Sequence, residues 1–448
     1  MVSRPRFVSK SKYVPFIITL CLVTVIFLLS SNIHSVKVTK LVETSEKTYH
    51  SPGEYLKYVS PSKGASYCKL NYGLPTQLIY SKEDIFGSPE IQLNSSFRIL
   101  YNVIEGQLEK APGVTYVTHM TKGFVFYLAE VARYWEGPIS VAAYIPDGDP
   151  KVILESVLHL CYCEPQMSRV SLHLVFRKDL ALSFYLSKLM PPVRCDLQEI
   201  SIQQSANMNI QPSNDSNITN NWYPINVCRN AARQAALTEY VLVCDVELMP
   251  SQGLASRFID MTESYKCLEP ETCQKRVFVV PVFEVENTEE LPRNKQQLVQ
   301  LMEQSKAVYF HQLSCVHCQK FPGLEQWKES DSGDLIKPLI ETKREVPYHR
   351  WEPIYIGTKQ EPMYFEQLSW EGFQDKMLQM HEMCLAGYNL VVLDGAFLVH
   401  WPGIKKAKRK DEPWRLPYVK MNQRYYDTLL RNITKRYHPN PQCSLKKP

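Results

Sequence analysis

Short apolar runs alternate with helical patterns along the middle of the chain. Ile139–Ile145 is an apolar run that ends at a Pro-Asp-Gly turn, Val152–Leu160 has helical spacing, and Val170–Phe176 is strand-like again. Strands that alternate with helices indicate an α/β domain with a largely parallel sheet. The pattern continues with a helix over Asn226–Leu237 and then a fully apolar strand at Tyr240–Cys244, the kind that is buried on both faces.

A second group of elements is predicted near the C-terminus. Met377–Ala386 has helical spacing and stops at Gly387, a favourable residue just after a helix. Leu390–Leu393 then reads as a short strand. Ala396–Val399 is a further apolar run, and it is followed directly by His400.

The N-terminal part has a different pattern. Residues 14–31 are apolar and uncharged, which is about the 17–25 residues of a bilayer span. Basic residues are concentrated in 1–13, so the positive-inside rule predicts a cytosolic tail there, an uncleaved type II anchor at 14–31 and a luminal body. A cleaved signal peptide is the alternative, which the length of the run disfavours. The polar residues 32–96 read as a stem and 97–448 as the catalytic domain.

Composition supports this topology. The 448 residues are 44% hydrophobic and carry a net charge of +5. The sequence has no basic stripe interleaved with aromatic residues, so a nucleic-acid partner is not expected. Of 13 cysteines only Cys21 falls in the predicted span, and in an oxidising lumen the others favour disulfides. Cys315-Val316-His317-Cys318 has the spacing of a zinc-binding motif, but a structural zinc site needs four ligands and no second C-x-x-C lies nearby. Disulfides are therefore the preferred interpretation of these cysteines as well. Glycosylation motifs, all on the predicted luminal side, begin at Asn94, Asn214, Asn217 and Asn432.

An acidic pair follows the strand at Tyr240–Cys244. Asp245 and Glu247 are two residues apart, and strand residues two apart face the same side. We expect both carboxylates to enter the crevice beyond the strand ends, where open α/β sheets bind ligands. Their hard oxygens suit Mn²⁺ or Mg²⁺, which would bridge to a diphosphate. The alternative is that the pair caps the next turn; the buried strand before it favours the metal site.

Other polar residues are candidates for the same site. A histidine that ends a buried strand, as His400 does, is a candidate third metal ligand, although a lone histidine is usually structural. Lys405 opens a basic run that would neutralise a UDP leaving group or attract acidic glycans, unless the run is simply solvated. Arg229 and Arg233 lie one helical turn apart and suit phosphate or a sugar carboxylate; the alternative is a solvated helix face.

Several of these motifs together resemble glycosyltransferase family 49, which contains glucuronyltransferases that build the dystroglycan glycan. The resemblance spans about Trp135–Cys443. The matching residues are Gly137–Ala143, Asn226, Arg229, Asn230, Ala232, Arg233, Asp245, Glu247, Trp351-Glu352-Pro353, Glu382, Ala386, Gly387, Tyr388, Val392, Leu393, Phe397, Leu398, Val399, His400 and Lys435–Cys443.

The resemblance implies a GT-A-type fold, a UDP-sugar donor, a metal held by the acidic pair, and transfer with inversion. It extends donor binding to Arg229, Asn230, Arg233, Asp245 and Lys405. One position departs from the family pattern: its second acidic residue is usually Asp. The Glu247 side chain is one methylene longer, so the metal geometry would shift.

Inverting transfer needs a base to deprotonate the acceptor hydroxyl. The segment Trp370–Lys376 is similar to a family segment that precedes the late helix, and by analogy Asp375 is the candidate base and Glu371 the second candidate. Acidic residues near a helix start also simply favour its dipole. Trp351 and Trp370 are candidates for an acceptor platform, although tryptophan often belongs to the core.

The sequence therefore predicts a metal-dependent transferase of the Golgi membrane that moves glucuronic acid from UDP-glucuronate to a β-linked, xylose-like sugar on a glycoprotein glycan. A β-1,3-N-acetylglucosaminyltransferase of the same fold is one alternative. A catalytically weak glycan-binding pseudo-transferase is the other. The expected partners are the UDP-sugar, the glycan acceptor and the membrane; association with itself or with other Golgi transferases is left open.

Overall fold

Apolar strands with both faces covered form the centre of the molecule in the computed structural model. The strands are β1 (Lys69–Leu70), β2 (Ile85–Gly87), β3 (Phe97–Glu105), β4 (Val114–Met120), β5 (Ile139–Ile145), β6 (Val170–Arg177), β7 (Tyr240–Val243), β8 (Leu248–Pro250), β9 (Arg276–Val279), β10 (Val282–Val285), β11 (Ala307–Tyr309), β12 (Lys337–Thr342), β13 (Tyr355–Gly357), β14 (Asn389–Asp394) and β15 (Leu398–His400). Every residue of β4 and β5 is buried, as expected for strands covered on both sides.

The structure describes residues 66–72, 78–90, 95–107, 113–182, 222–264, 275–401, 403–405 and 412–443. All of these lie in the unit Ser51–Pro448. Within them, no helix is both long enough and apolar enough to cross a bilayer. The span predicted at 14–31 and the motifs at Asn94, Asn214 and Asn217 lie outside the described residues.

The main sheet has 11 strands in the order β1-β3-β6-β5-β4-β7-β13-β9-β14-β12, and β2 pairs with β3. Its middle is parallel: β4 pairs in parallel with β5 and β7, and β5 with β6. β13 is antiparallel to both β7 and β9, while β9 and β14 are parallel. The α/β class with a mixed, mostly parallel central sheet is confirmed, and the order is consistent with a GT-A-type fold.

Helices cover both faces of this sheet. They are α1 (Val125–Tyr134), α2 (Lys151–Cys163), α3 (Ile225–Ala235), α4 (Leu254–Ser264), α5 (Lys295–Glu303), α6 (Val316–Gln319), α7 (Leu324–Glu329), α8 (Met377–Leu385) and α9 (Leu416–Arg436). Small side chains let α3 lie close to the strands: Ala231 and Ala232 are fully buried, and the Ser140 hydroxyl of β5 donates to the Ala232 carbonyl at 2.7 Å.

A second sheet of four strands, in the order β11-β10-β15-β8, brings the two predicted halves of the site together. β15 lies between β10 and β8, with His400 opposite Glu284 on one side and opposite Leu248 on the other. Leu248 directly follows the acidic pair. The register of three short strands therefore places the late histidine next to the Asp245–Glu247 turn.

Part of the predicted stem belongs to the folded domain. β1 and β2 both come from the range 32–96 and pair antiparallel with β3. Cys68 is joined to Cys161 of α2 by a disulfide. Two further disulfides, Cys315–Cys318 and Cys384–Cys443, agree with the expectation of oxidised cysteines. The polar pattern of 32–96 concealed these strands because each is only two or three residues long.

Candidate functional site

The acidic pair lies in a turn and not in the strand before it. β7 ends at Val243, and the amide of Leu248 donates to the carbonyl of Asp245 at 3.1 Å, which closes the turn. The hydroxyl of the fully buried Tyr116 lies 3.0 Å from the carbonyl of Asp245 and 2.7 Å from that of Leu248. The two carboxylates therefore do not follow strand alternation, and each has its own surroundings.

Asp245 lies among basic groups. Its Oδ1 accepts hydrogen bonds from Arg229 Nη2 at 3.1 Å and from His119 Nε2 at 3.2 Å, and Lys376 Nζ lies 3.8 Å from Oδ2. Burial alone would raise the pKa of this carboxyl, but Lys376, the His119 hydrogen bond and Arg229 together hold the pKa well below its usual range. Asp245 is therefore a permanent anion at neutral pH.

A chain of hydrogen bonds from Tyr223 through His119 fixes the Asp245 carboxylate. His119 Nδ1 lies 2.8 Å from the hydroxyl of Tyr223, and His119 Nε2 faces the carboxylate. Because an ionised carboxylate only accepts, Nε2 carries the proton and Nδ1 accepts from the tyrosine. Burial lowers the pKa of His119, although its contact with Asp245 opposes this, so a neutral imidazole fits the arrangement.

Glu247 points to a different partner. Its Oε1 lies 3.9 Å from Nε2 of His400. The carbonyl of Gly403 lies 3.3 Å from His400 Nδ1 and can only accept, so the ring proton belongs on Nδ1 and Nε2 presents a lone pair. That Nε2 is buried and has no hydrogen-bond partner among the described residues.

These atoms fit a divalent cation. A buried imidazole nitrogen without a partner beside a carboxylate oxygen is a donor pair that could hold a divalent cation such as Mn²⁺. Burial raises the pKa of Glu247; Lys405 opposes this shift and Asp245 adds to it, so the site favours a further positive charge. In the described residues, the one group of three potential ligands with all atoms within 4.8 Å is Glu345, Cys384 and Cys443. Its two cysteines form a disulfide.

Asp245 differs from Glu247 and His400 in having one carboxylate oxygen already bound to side chains. Its Oδ1 is shared by Arg229 and His119. Its Oδ2 has Lys376 Nζ at 3.8 Å, longer than a hydrogen bond, so the predicted ligand set of Asp245, Glu247 and His400 stays a prediction.

The walls around His400 come from β10 and two loops. The His400 ring stacks on the ring of Phe310, with centroids 5.5 Å apart. Lys405 Nζ lies 5.6 Å from the centre of the Phe310 ring. The carboxylate of Glu284, which is 0% exposed, accepts the amide of His311 and the amide of Lys405, each at 3.2 Å. Glu284 therefore sets the positions of both loops beside the histidine.

The segment before α8 brings the two candidate bases to this region. Phe373 and Gln374 both have φ of 58°, a left-handed conformation that non-glycine residues adopt at a cost. The buried Asn422 of α9 supports the segment: its side chain donates to the carbonyls of Ser369 and Phe373, at 2.9 Å each. This turn delivers Asp375 and Lys376 towards Arg229 and Asp245.

The two candidate bases differ in their contacts. Asp375 forms an ion pair with Arg229, and the side chain of that arginine is 2% exposed. Glu371 is 7% exposed; its Oε1 accepts the amide of Tyr223 at 2.9 Å, and its Oε2 has no hydrogen-bond partner among the described residues. Burial raises the pKa of Glu371 against the hydrogen bonds that lower it. Of the two, Glu371 has the carboxylate oxygen that lacks a hydrogen-bond partner among the described residues, and that oxygen is buried.

Asn230 and Arg233 of α3 are fully used by the segment 358–366. Asn230 Nδ2 donates to the Tyr364 carbonyl at 2.8 Å and to Glu366 at 3.0 Å, and its Oδ1 accepts the Tyr364 amide. Arg233 donates to the carbonyls of Thr358, Pro362 and Glu361, the last at 2.8 Å. Both are buried, which differs from the solvated helix face considered above. What they provide in this structure is the position of that segment.

The remaining predicted residues lie as follows. Lys405 is exposed, and the rest of its basic run falls outside the described residues. Asn432 is exposed on α9, so its motif is accessible. Trp351 is 1% exposed and belongs to the core, so it is not an acceptor platform, whereas Trp370 is 41% exposed.

Sequence reasoning missed four residues of this region: His119, Tyr223, Lys376 and Glu284. His119 had a partial signal, because it lies near the carboxyl end of a strand-like, β-branched segment, Val114–Met120, where open α/β sheets bind ligands. The other three had no comparable signal. Their roles depend on contacts between distant parts of the chain.

Comparison with known proteins gives a consistent result. The sequence profile of the family described as "Glycosyl-transferase for dystroglycan" matches residues 113–438. The chain is 27% identical to mouse β-1,4-glucuronyltransferase 1 over 356 residues, which covers 76% of this chain and 80% of the mouse protein. The human β-1,4-glucuronyltransferase 1 is also 27% identical, with 76% and 81% covered.

A more distant similarity joins these. The mouse xylosyl- and glucuronyltransferase LARGE2 is 23% identical over 296 residues, which is 64% of this chain and 34% of that protein. The range 113–438 matched by the family profile contains every residue of the turn, the His119 chain and the late histidine.

Proposed function

Because this chain belongs to glycosyltransferase family 49, and is a glycosyltransferase, we propose that it transfers glucuronic acid from UDP-glucuronate to a β-linked, xylose-like sugar on a glycoprotein glycan. The observation that carries the proposal is the pairing of Glu247 with the free Nε2 of His400 at 3.9 Å, beside a turn lined by basic groups. The similar proteins named as β-1,4-glucuronyltransferases support this donor.

Glu247 and His400 would hold the metal, with Asp245 nearby. When bound there, Mn²⁺ supplies positive charge that stabilises the departing diphosphate. The longer Glu247 side chain is compatible with this role because its Oε1 already approaches the histidine nitrogen. Asp245, held by Arg229 and His119, keeps the turn in register and adds negative charge that favours a cation.

Lys376 is the group best placed to recognise the donor's own charge. Its Nζ lies 3.8 Å from Asp245 Oδ2, which is longer than a hydrogen bond. The ammonium can therefore still donate hydrogen bonds to a second anionic group. Glucuronate differs from neutral sugars by a carboxylate. A lysine at this point supports a uronic-acid donor over UDP-N-acetylglucosamine.

We assign the general base to Glu371 in preference to Asp375. Asp375 is the ion-pair partner of the buried Arg229, so using its carboxylate on the acceptor would take the partner from that arginine. Glu371 has an oxygen without a partner among the described residues and a raised pKa, which favours proton uptake. Its carboxylate takes the acceptor's hydroxyl proton as that oxygen bonds to the anomeric carbon. The bond from that carbon to the UDP oxygen breaks, and UDP leaves with the electron pair. Attack opposite the leaving group inverts the anomeric carbon.

A Golgi location with a single N-terminal anchor fits this proposal. The disulfides Cys68–Cys161 and Cys384–Cys443 are typical of proteins that mature in an oxidising compartment. A luminal transferase would also meet UDP-sugars and glycoprotein acceptors in the same space.

A donor screen on the purified protein tests the proposal. UDP-glucuronate, UDP-N-acetylglucosamine and UDP-xylose are each incubated with a β-xyloside acceptor, with Mn²⁺ and with EDTA, and transfer is measured by mass spectrometry. We expect transfer from UDP-glucuronate alone, lost in EDTA and restored by Mn²⁺. Transfer from another donor, or full activity in EDTA, would refute the corresponding part.

A further inference from the structure

An exposed aromatic cluster lies directly beside the candidate base. Trp370 is 41% exposed, and its ring centre lies 6.3 Å from that of Trp414 at an angle of 36°. The guanidinium of Arg415 lies 4.0 Å from the centre of Trp370, 4.4 Å from that of Trp414 and 4.8 Å from that of Phe373. Trp414 and Phe373 are partly exposed, so the three rings form an apolar patch rimmed by charge, a feature that can mark a binding site.

The cluster is held in place by a buried arginine. Arg415 is 7% exposed, and its Nη1 donates to the carbonyl of Glu371 at 3.2 Å and to that of Trp370 at 3.4 Å. Its Nε pairs with Glu412. Because the rings and the backbone beneath them share this one cation, little conformational freedom remains to be lost when a ligand binds.

A second observation points to a ligand at this place. Glu371 directly follows Trp370 in the sequence and is only 7% exposed. Its Oε2 has no hydrogen-bond partner among the described residues. A partly satisfied buried carboxylate needs a donor. Because Oε2 is itself buried, the Glu371 side chain would turn towards the rings to accept from a hydroxyl of a bound sugar.

We propose that Trp370 and Trp414 form the acceptor subsite, on which a pyranose ring of the acceptor glycan stacks while its reacting hydroxyl meets Glu371. This proposal rests on the function proposed above. The negative face of an indole ring attracts partially positive C–H groups. A β-linked xylose-like ring, with its hydroxyls equatorial, presents such a C–H face. A cationic peptide or headgroup could also use aromatic faces, but it would meet the positive charge of Arg415, which already lies over both rings.

Steady-state kinetics with p-nitrophenyl β-xyloside and UDP-glucuronate test the subsite. For Trp370→Ala and Trp414→Ala we expect the KM for the xyloside to rise about tenfold or more, equivalent to about 1.4 kcal/mol. The KM for UDP-glucuronate should change by less than about twofold. Trp370→Phe, which keeps a ring, should recover part of the loss. Tyr425→Ala removes another aromatic from α9 that is 46% exposed and serves as the control.

The outcomes separate the two proposals. Wild-type protein that transfers nothing from UDP-glucuronate refutes the donor proposal, and the subsite is then judged by saturation-transfer NMR of the xyloside with wild type and the conservative Trp370→Phe and Trp414→Phe variants. An unchanged xyloside KM, or an NMR signal that these variants leave intact, overturns the subsite. Equal changes in both KM values, or an effect of Tyr425→Ala as large as that of Trp370→Ala, overturn it as well.

Discussion

Nε2 of His400 and Oε1 of Glu247 face each other across 3.9 Å without forming a hydrogen bond. The gap is too long for a hydrogen bond and suits two atoms that bind one cation from different sides. The proton that would otherwise occupy Nε2 belongs on Nδ1, because the Gly403 carbonyl accepts there. The register of β15 against β8 sets this geometry, so it does not depend on ligand binding to assemble.

His400→Ala and Glu247→Ala each remove a direct ligand, so each should weaken Mn²⁺ binding by more than about 100-fold. Loss of a residue that only hydrogen-bonds to a ligand typically costs roughly 10–100-fold. Binding is measured by isothermal titration with MnCl₂ and UDP. His317→Ala is the control, since it removes an exposed histidine from the Cys315–Cys318 loop. Unchanged Mn²⁺ affinity in both folded variants would contradict the assignment.

Glu371→Gln should lower kcat by about 10²–10⁴-fold and remove the acidic limb of the pH–rate profile, because the base must be ionised to accept a proton. Burial raises the pKa of Glu371, so in the wild type kcat/KM should fall as the pH is lowered through a value above the ordinary glutamate pKa of about 4.3.

Asp375→Asn tests the competing assignment in the same assay. It should leave the acidic limb in place, although it also breaks the pair with Arg229, so its melting temperature is measured alongside. If Asp375→Asn abolishes the limb and Glu371→Gln retains it, the two roles are reversed.

The elements that carry the site were predictable because their patterns are local. The helix expected at Asn226–Leu237 is Ile225–Ala235, the strand expected at Tyr240–Cys244 is Tyr240–Val243, and His400 ends β15 as expected. In each case a run of apolar residues long enough to be buried specifies the element and the change to polar residues marks its end.

Contacts between distant segments were not predictable in the same way. The chain Tyr223–His119–Asp245 requires that β4 pair with β7, which is visible only once the order of the sheet is known. The left-handed turn at Phe373 and Gln374 carries no glycine at either position to announce it. It is supported by Asn422 of α9, whose side chain bonds the backbone of Ser369 and Phe373.

Arg229→Ala should destabilise the protein by up to about 3–5 kcal/mol, because a guanidinium that is only 2% exposed is the cation shared by Asp375 and Asp245, whose side chains are 16% and 31% exposed. Urea unfolding measures the change. Arg276→Ala is the matched control: its pair with Glu341 spans 3.1 Å but both side chains are about one-third exposed, so it should cost no more than about 1 kcal/mol. Equal losses in the two variants would contradict the structural role of Arg229.

The pH dependence of that loss has a defined sign. Arg229 helps to hold the pKa of Asp245 below its usual range, so the stabilisation is fully present above the unfolded value of about 3.9 and is lost as the pH falls through the lower folded value. The difference in unfolding free energy between wild type and Arg229→Ala should therefore shrink in acid. A difference that grows as the pH falls from 5 towards 3 would show that another interaction dominates.

Gly372→Ala should disable the turn that carries Asp375 and Lys376. A Cβ at Gly372 would lie 2.2 Å from Cγ of Asn422, which is buried and bonded to the backbone of Ser369 and Phe373, so neither group can move without breaking those bonds. Unsatisfied buried groups cost about 1–3 kcal/mol, and we expect a lower melting temperature together with a large loss of kcat. Gly123→Ala is the control, because a Cβ there meets nothing within 4 Å. Asn422→Ala should relieve the clash in a double variant while leaving the turn unsupported, so the double variant should be more stable than the sum of the single losses predicts but no more active. Full activity of Gly372→Ala would show that the turn does not set the site.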